Sequence, residues 1–367
     1  MDSLYCQTVE SLKTWLAEQG EKPFRAGQIL SWPFKSGVER YDQFRNVPQT
    51  LQQKLAAAFS LRTVATRDVQ DSAWATKLLL ELSDGETIEC VLLKDDRGHR
   101  TVCLSTQVGC AMGCLFCATG QTRSGKTALP MVSQSESLQD EPSPLGRCFV
   151  RNLTADEIIQ QVLCFQDRLP EGERISNLVV MGMGEPTQNL DNLLPALDIL
   201  SDKLEIGARK ITISTVGIPA GIRRIAEYPR QYHLAISLHA PNDELRNRIV
   251  PANRNIGLGA TIQAADEFFD LCGRRVTYEY VLLGSTNDST DCADQLARLL
   301  HGKNALVNVI PYNEVRGLPF KKPLPKTIDL FVQTLEARGI QVHLRKEKGG
   351  KIDAACGQLR RKNIQNT

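Results

Sequence analysis

Apolar and polar positions fall into three successive textures along the chain. Over residues 9–20, 24–34 and 48–59 apolar side chains recur every three or four positions, a spacing that predicts three amphipathic helices. From about residue 75 the pattern becomes short β-like runs, KLLLEL, ETIECVLL and RTVCLS, broken by the turn formers SDG and KDDRG. From 155 to 345 the chain alternates. Helical segments at 155–169, 192–204, 220–228, 261–272, 290–302 and 326–339 are separated by β-like runs at 177–182, 210–215, 233–238, 276–283, 305–312 and 341–345. Such alternation predicts parallel strands joined by crossover helices, so the expected fold class is α/β, a full or partial (β/α) barrel with its active residues in loops after the strands. Thr154 followed by Glu157 predicts a capping box at the first of these helices.

The expected division is a helical accessory unit at 1–75, a β-rich connection at 76–99, the barrel at 100–345 and a terminal segment at 346–367. One stretch, 122–147, is rich in Ser, Pro and Gly and has no apolar period. It reads as a surface insertion, with a lid over the neighbouring loop as the alternative.

Composition narrows the class. With 367 residues, 42% hydrophobic and 23% charged, the chain can bury a substantial core, which excludes overall disorder. Neither a signal-like start nor an apolar run of membrane-spanning length is present, so a cytoplasmic monomer is expected. Eleven cysteines in such a chain fit a reducing compartment, and Cys6, Cys164, Cys272 and Cys292 read as ordinary helix residues. The formal net charge is only +2, so any nucleic-acid site must be a local basic patch.

The most informative chemistry is CAMGCLFC, in which Cys110, Cys114 and Cys117 offer three thiolates at C-x-x-x-C-x-x-C spacing. A four-iron cluster normally takes four thiolates, so three leave one iron open to a cofactor or substrate. That is the arrangement of radical S-adenosylmethionine enzymes. A structural zinc knuckle is the alternative, although it prefers four ligands and no second pair or nearby His follows.

Further polar groups stand at the ends of the β-like runs. Gly184 and Glu185 sit in MGMGEP, where the glycines permit close backbone approach and the carboxylate can meet an ammonium group. Ser214, Ser237, His239 and Asn313 occupy equivalent positions, where convergent polar groups can bind a ribose and a carboxylate. His239 taken alone reads more readily as a structural histidine, and its company with the other three positions and the cysteine loop favours a ligand site.

The chain also carries CLSTQVGC, CATG, RNLTADEI, GMGEP, the IST loop, SLHAPND followed by R-x-x-x-VP, IPYN and IDAACGQL. Together these resemble, almost end to end, the radical S-adenosylmethionine RNA methyltransferases that methylate adenine at C2 in 23S rRNA and tRNA.

The resemblance implies that Cys110, Cys114 and Cys117 hold a [4Fe-4S] cluster and that Gly184, Glu185, Ser214, Ser237, Leu238, His239 and Asn313 contact S-adenosylmethionine. It further implies that Cys356 carries the methyl group, that Cys103 is its resolving partner through a transient disulfide, and that Glu89 is a proton acceptor. Two molecules of S-adenosylmethionine are consumed per turnover in this scheme. An electron donor such as flavodoxin or ferredoxin and a thiol reductant are the implied partners, beside the rRNA and tRNA substrates. Candidate phosphate contacts are Arg345–Lys351, Arg360, Arg361, Lys362, Lys321 and Lys322, with Arg25 and Lys35 in the helical unit. Two departures from the family pattern are the 122–147 insertion and Pro33 in SWPF, where a bulkier residue is usual. C8 methylation of adenine and a non-catalytic zinc-stabilised RNA-binding protein are the competing readings.

Overall fold

Leu12 and Leu16 on α1 (Val9–Glu18), Ala26, Ile29 and Leu30 on α2 (Arg25–Leu30), and Leu51 and Leu55 on α3 (Gln49–Ala58) close around Leu4, Phe44 and Phe59 in one apolar core. The spacing of three and four puts each set on one helix face, as its periodicity predicts. Thr8 caps α1 through the Ser11 amide, and the Ser11 side chain returns the bond. The computed structural model describes residues 1–121, 148–345 and 357–359. The 122–147 insertion, Cys356, Lys346–Lys351, Arg360, Arg361 and Lys362 lie outside the described residues.

A ten-stranded sheet forms the body. Its first three strands, β1 (Ala65–Asp71), β2 (Ala75–Glu81) and β3 (Thr87–Lys94), make an antiparallel meander that pairs antiparallel with β4 (Arg100–Cys103). From β4 onward every neighbour is parallel: β5 (Asn177–Val180), β6 (Ile211–Thr215), β7 (His233–Ser237), β8 (Val276–Leu282), β9 (Ala305–Pro311) and β10 (Gln341–Leu344). The parallel strands follow one another in chain order, with no reversal of the kind that makes an open doubly wound sheet. Side chains of β3 and β10 line the same cavity, so the sheet curls toward closure while its end strands stay unpaired with each other. This is the partial barrel that the alternation predicts.

Crossover helices cover the outside: α4 (Ala155–Gln166), α5 (Leu190–Lys203), α6 (Pro219–Ala226), two short helices α7 (Asp243–Ile249) and α8 (Asn253–Ile256), then α9 (Leu258–Cys272), α10 (Thr290–Leu300) and α11 (Pro325–Ala337). The capping box expected at Thr154 and Glu157 is present at the start of α4. That helix also receives the N-terminal unit. Gln160 Oε1 accepts from the Thr63 and Val64 amides at 2.8 and 3.0 Å, and Asp167 pairs with Arg62 at 2.9 Å while accepting from Gly37. These contacts are largely buried, so they hold the unit to the barrel more firmly than exposed polar pairs would. Among the described residues no helix is long and apolar enough to cross a membrane.

Candidate active site

The cysteine loop leaves β4 at Cys103 and lies over the carboxyl ends of the parallel strands. It is tied down on two sides. The Leu115 amide donates to Ile249 O of α7 at 3.0 Å, while the Ala118 amide and Thr119 hydroxyl donate to Gly357 O and Leu359 O at 2.7 and 2.6 Å. The Phe116 ring stands edge-on to His239, their centroids 4.9 Å apart. The terminal segment is thereby part of the loop's support, across a long separation in sequence.

A cavity of about 670 Å³ opens beneath the loop. Its walls include Cys110, Cys114 and Cys117, and also Cys103, Gly184, Glu185, Ser214, Ser237, His239, Asn313 and Gly357. Residues scattered over most of the chain thus meet in one space, as the strand-end rule predicts. Two expected residues do not line it. Leu238 is fully buried in the main apolar core, and its amide donates to Glu279 O at 3.0 Å. Glu89, on β3, is 1% exposed and ion-paired with Lys77 at 3.3 Å. Cys356 lies outside the described residues.

The glycine loop owes its shape to close backbone approach. Gly184 has φ +106°, and a Cβ there would stand 2.6 Å from Gln107 Cβ. Gln107 Oε1 in turn accepts from the Glu185 amide at 2.8 Å. The Glu185 carboxylate accepts from Thr215 Oγ1 at 2.7 Å and from the Val216 amide at 2.8 Å, which ties this loop to the end of β6. Burial raises its pKa, and the hydrogen bonds from Thr187 and Thr215 oppose that rise. Gly184→Ala is expected to cost about 2 kcal/mol of stability, read as a lower urea midpoint. An unchanged midpoint would show that the loop accommodates a side chain.

Burial pushes the Cys110 thiol well up, and the Cys114 thiol up to about 12, with the neighbouring cysteines adding repulsion. As free thiols both would stay protonated near neutral pH; a bound cationic metal removes that penalty and draws out the thiolate. The donor set therefore fits an iron–sulfur cluster, which soft thiolates hold. Among the described residues no three Cys, His, Asp or Glu side chains could hold a single metal ion. A four-iron cluster takes one thiolate per iron and asks for no such convergence.

His239 has φ +60°, and its Nδ1 accepts from the Val281 amide at 3.2 Å, which leaves the ring proton on Nε2. Burial, with Arg246 nearby, lowers its pKa to about 3, so the imidazole is neutral at physiological pH. Ser214 Oγ and Ser237 Oγ lie 3.3 Å apart across β6 and β7.

Comparison with known proteins matches this geometry. Residues 4–61 match the model of the ribosomal RNA large subunit methyltransferase N-terminal domain, and residues 104–296 match that of the radical SAM superfamily. A protein of Rhodopirellula baltica named "probable dual-specificity RNA methyltransferase RlmN" is 46% identical over 357 residues, spanning 96% of this chain and 89% of that one. The chain belongs to the RlmN family of radical SAM RNA methyltransferases. A Caldicellulosiruptor saccharolyticus relative of the same name is 42% identical, covering 96% of this chain and 95% of its own. The solved structure of a radical SAM methyltransferase from Sphaerobacter thermophilus superposes with a TM-score of 0.87 at 39% identity, covering 98% of this chain and 99% of its own. The radical SAM family implies a [4Fe-4S] cluster and S-adenosylmethionine, a cofactor pair that the three thiols and the glycine loop fit.

The RlmN-family site contains a residue to which sequence reasoning gives no role. Arg246 on α7 is completely buried, and its guanidinium donates to Leu238 O at 3.0 Å, Ser237 O at 3.2 Å, Val216 O and Asn253 Oδ1. One side chain thus fastens the loops after β6 and β7, which carry Ser214, Ser237 and His239. Desolvation lowers its pKa to about 10, which leaves it charged at neutral pH, and it favours the Cys114 thiolate. The available signal was its place between Leu245 and Ile249 in SLHAPNDELRNRIVP, a charge on the side of the helix that turns inward.

Of the basic candidates, Arg345 lines the cavity mouth. Lys321 is exposed and pairs with Glu314 at 3.5 Å, and Lys35 stacks on Trp32 at 3.7 Å.

Proposed function

We propose that this protein methylates C2 of adenosine in 23S rRNA and of the adenosine 3′ to the anticodon in tRNA, with Cys356 as the methyl carrier. The observation that carries the reading is the shared cavity: Cys103, the three cysteines of the cluster loop and Gly357, the residue after Cys356, all line it. C2 of adenine is electrophilic, so direct displacement on a methyl sulfonium is closed to it, and the carbon needs a radical partner. A cluster on Cys110, Cys114 and Cys117, with two molecules of S-adenosylmethionine, supplies the methyl group that Cys356 takes up and the radical chemistry that activates it.

The chain's own residues do the rest. Gly184, Glu185, Ser214, Ser237, His239 and Asn313 form the cofactor wall, and Leu238, whose backbone amide and carbonyl are held by Glu279 O and Arg246, backs it from the apolar core. Once Cys356 is joined to the base through a methylene, and the adduct has lost the C2 proton and given one electron to an oxidised cluster, the Cys103 thiolate attacks the Cys356 sulfur. The carbon–sulfur bond breaks as the disulfide forms, its electron pair passes to the methylene carbon, and a proton taken up there completes the methyl group. A thiol reductant then restores both thiols, and a one-electron donor of flavodoxin or ferredoxin type serves the cluster. Either Glu89 or Cys103 takes the C2 proton; the ion pair of Glu89 with Lys77 and its place off the cavity wall favour Cys103. The N-terminal helices, with Arg25 and Lys35, grip folded RNA, and the target base is turned out of its stack to enter the cavity.

Two measurements test this. Protein purified without oxygen is expected to be brown and to contain iron and sulfide, whereas colourless zinc protein would refute it. Mass spectrometry of rRNA and tRNA from cells lacking the protein is expected to show loss of 2-methyladenosine. An unchanged level, or loss of 8-methyladenosine in its place, would overturn the C2 assignment.

A further inference from the structure

Glu279 stands on β8 with 3% of its surface exposed. Its Oε1 accepts from Asn308 Nδ2 at 2.9 Å, but Oε2 has no hydrogen-bond partner among the described residues. The side chain lines the cavity. A buried carboxylate oxygen left open is costly unless a ligand donor meets it, and the chemistry proposed above gives Glu279 no part.

Register explains its position. Ser237 of β7 lies opposite Glu279, Glu279 opposite Asn308 of β9, and Asn308 opposite His343 of β10, so one row of side chains crosses four strands on one face. Asn308 Oδ1 stands 3.2 Å from His343 Nδ1, which helps fix the amide that holds Glu279. The row leads from the cofactor wall at Ser237 to a mouth lined by Asp95, Arg97, His99, His343 and Arg345, where Asp95 holds His99 at 2.8 Å and the Arg345 charge favours the Glu279 carboxylate. Glu279 therefore lies on the row between Ser237 and the mouth, on a strand flanked by β7, which carries Ser237, and by β9, after which Asn313 follows.

Resting on the adenosine reading above, we propose that Glu279 is a specificity-determining contact whose open carboxylate oxygen accepts a hydrogen bond from the 6-amino group of the target adenine. A 6-oxo purine would set its own lone pairs against the carboxylate, so the contact both selects adenine and rejects guanine. With C2 directed at the cysteines, the 6-amino group remains free to meet a different wall.

The test compares an anticodon stem–loop carrying adenosine at the target position with one carrying purine riboside, which lacks only the amino group. Binding is measured with cluster-loaded protein for wild type, Glu279→Gln and Glu279→Ala, together with binding of S-adenosylmethionine. Wild type is expected to prefer the adenosine hairpin by about tenfold. Glu279→Ala is expected to bind the two hairpins about equally, Glu279→Gln, which keeps one neutral carbonyl acceptor, to show a smaller preference than wild type, and both to keep their affinity for S-adenosylmethionine, which also shows that they are folded. A wild type without preference, or an alanine variant that keeps it, would overturn the proposal. So would a preference that survives while S-adenosylmethionine affinity falls, because the carboxylate would then serve the cofactor. Methyl transfer by wild type to the adenosine hairpin reports on the underlying reading separately, and its failure would remove both.

Discussion

Cys103→Ala is expected to leave the protein covalently attached to its RNA. Cys103 ends β4 in the cavity wall shared with the cluster cysteines and Gly357. Under the proposed scheme Cys103 takes the C2 proton and its thiolate then frees the product by attacking the Cys356 sulfur, so alanine blocks both steps after the covalent bond to C2 has formed. Labelled RNA incubated with the variant and S-adenosylmethionine should migrate with the protein on a denaturing gel, in near-stoichiometric yield after one turnover. Cys356→Ala should abolish both the adduct and methyl transfer without loss of iron, and the double variant should behave like Cys356→Ala. Full activity in either single variant would defeat the two-cysteine mechanism.

Arg246→Met is expected to cost about 3–5 kcal/mol of stability and at least about tenfold in S-adenosylmethionine affinity. Methionine keeps the apolar stem but has no donors, so Val216 O, Ser237 O and Leu238 O would each lose a charged partner at a buried position. Arg246→Lys keeps the charge but replaces the planar fork by a single ammonium, and should fall between the two. Urea denaturation reads the stability, and equilibrium dialysis of the folded protein reads the affinity. A purely structural role would lower the midpoint and leave the affinity of folded protein unchanged, so that result would sink the idea that Arg246 positions the cofactor loops.

Much of the barrel is legible because its strands are buried runs such as KITIST and HLAISL, and its helices keep a regular apolar stripe. Those patterns come from local geometry, which each segment carries in itself. The passage from Asp243 to Ile256 is harder to read. Its two helices are short, and the side of α7 that faces inward carries Arg246 between Leu245 and Ile249. Its burial depends on the carbonyls of loops far away in sequence, so no local period announces it.

The sequence by itself determined the three-thiol loop, since Cys110, Cys114 and Cys117 are neighbours whose spacing alone sets how many thiolates the loop can offer. It also determined the strand ends at which Glu185, Ser214, Ser237, His239 and Asn313 would be found. Only the tertiary structure decided which distant residues meet there. Sheet register sets Glu279 between Ser237 and Asn308, and the curl of the barrel brings Cys103 to the same wall as Gly357. The physical reason is range: backbone periodicity is fixed within a few residues, whereas the partner of a side chain across parallel strands depends on crossovers that no single segment contains.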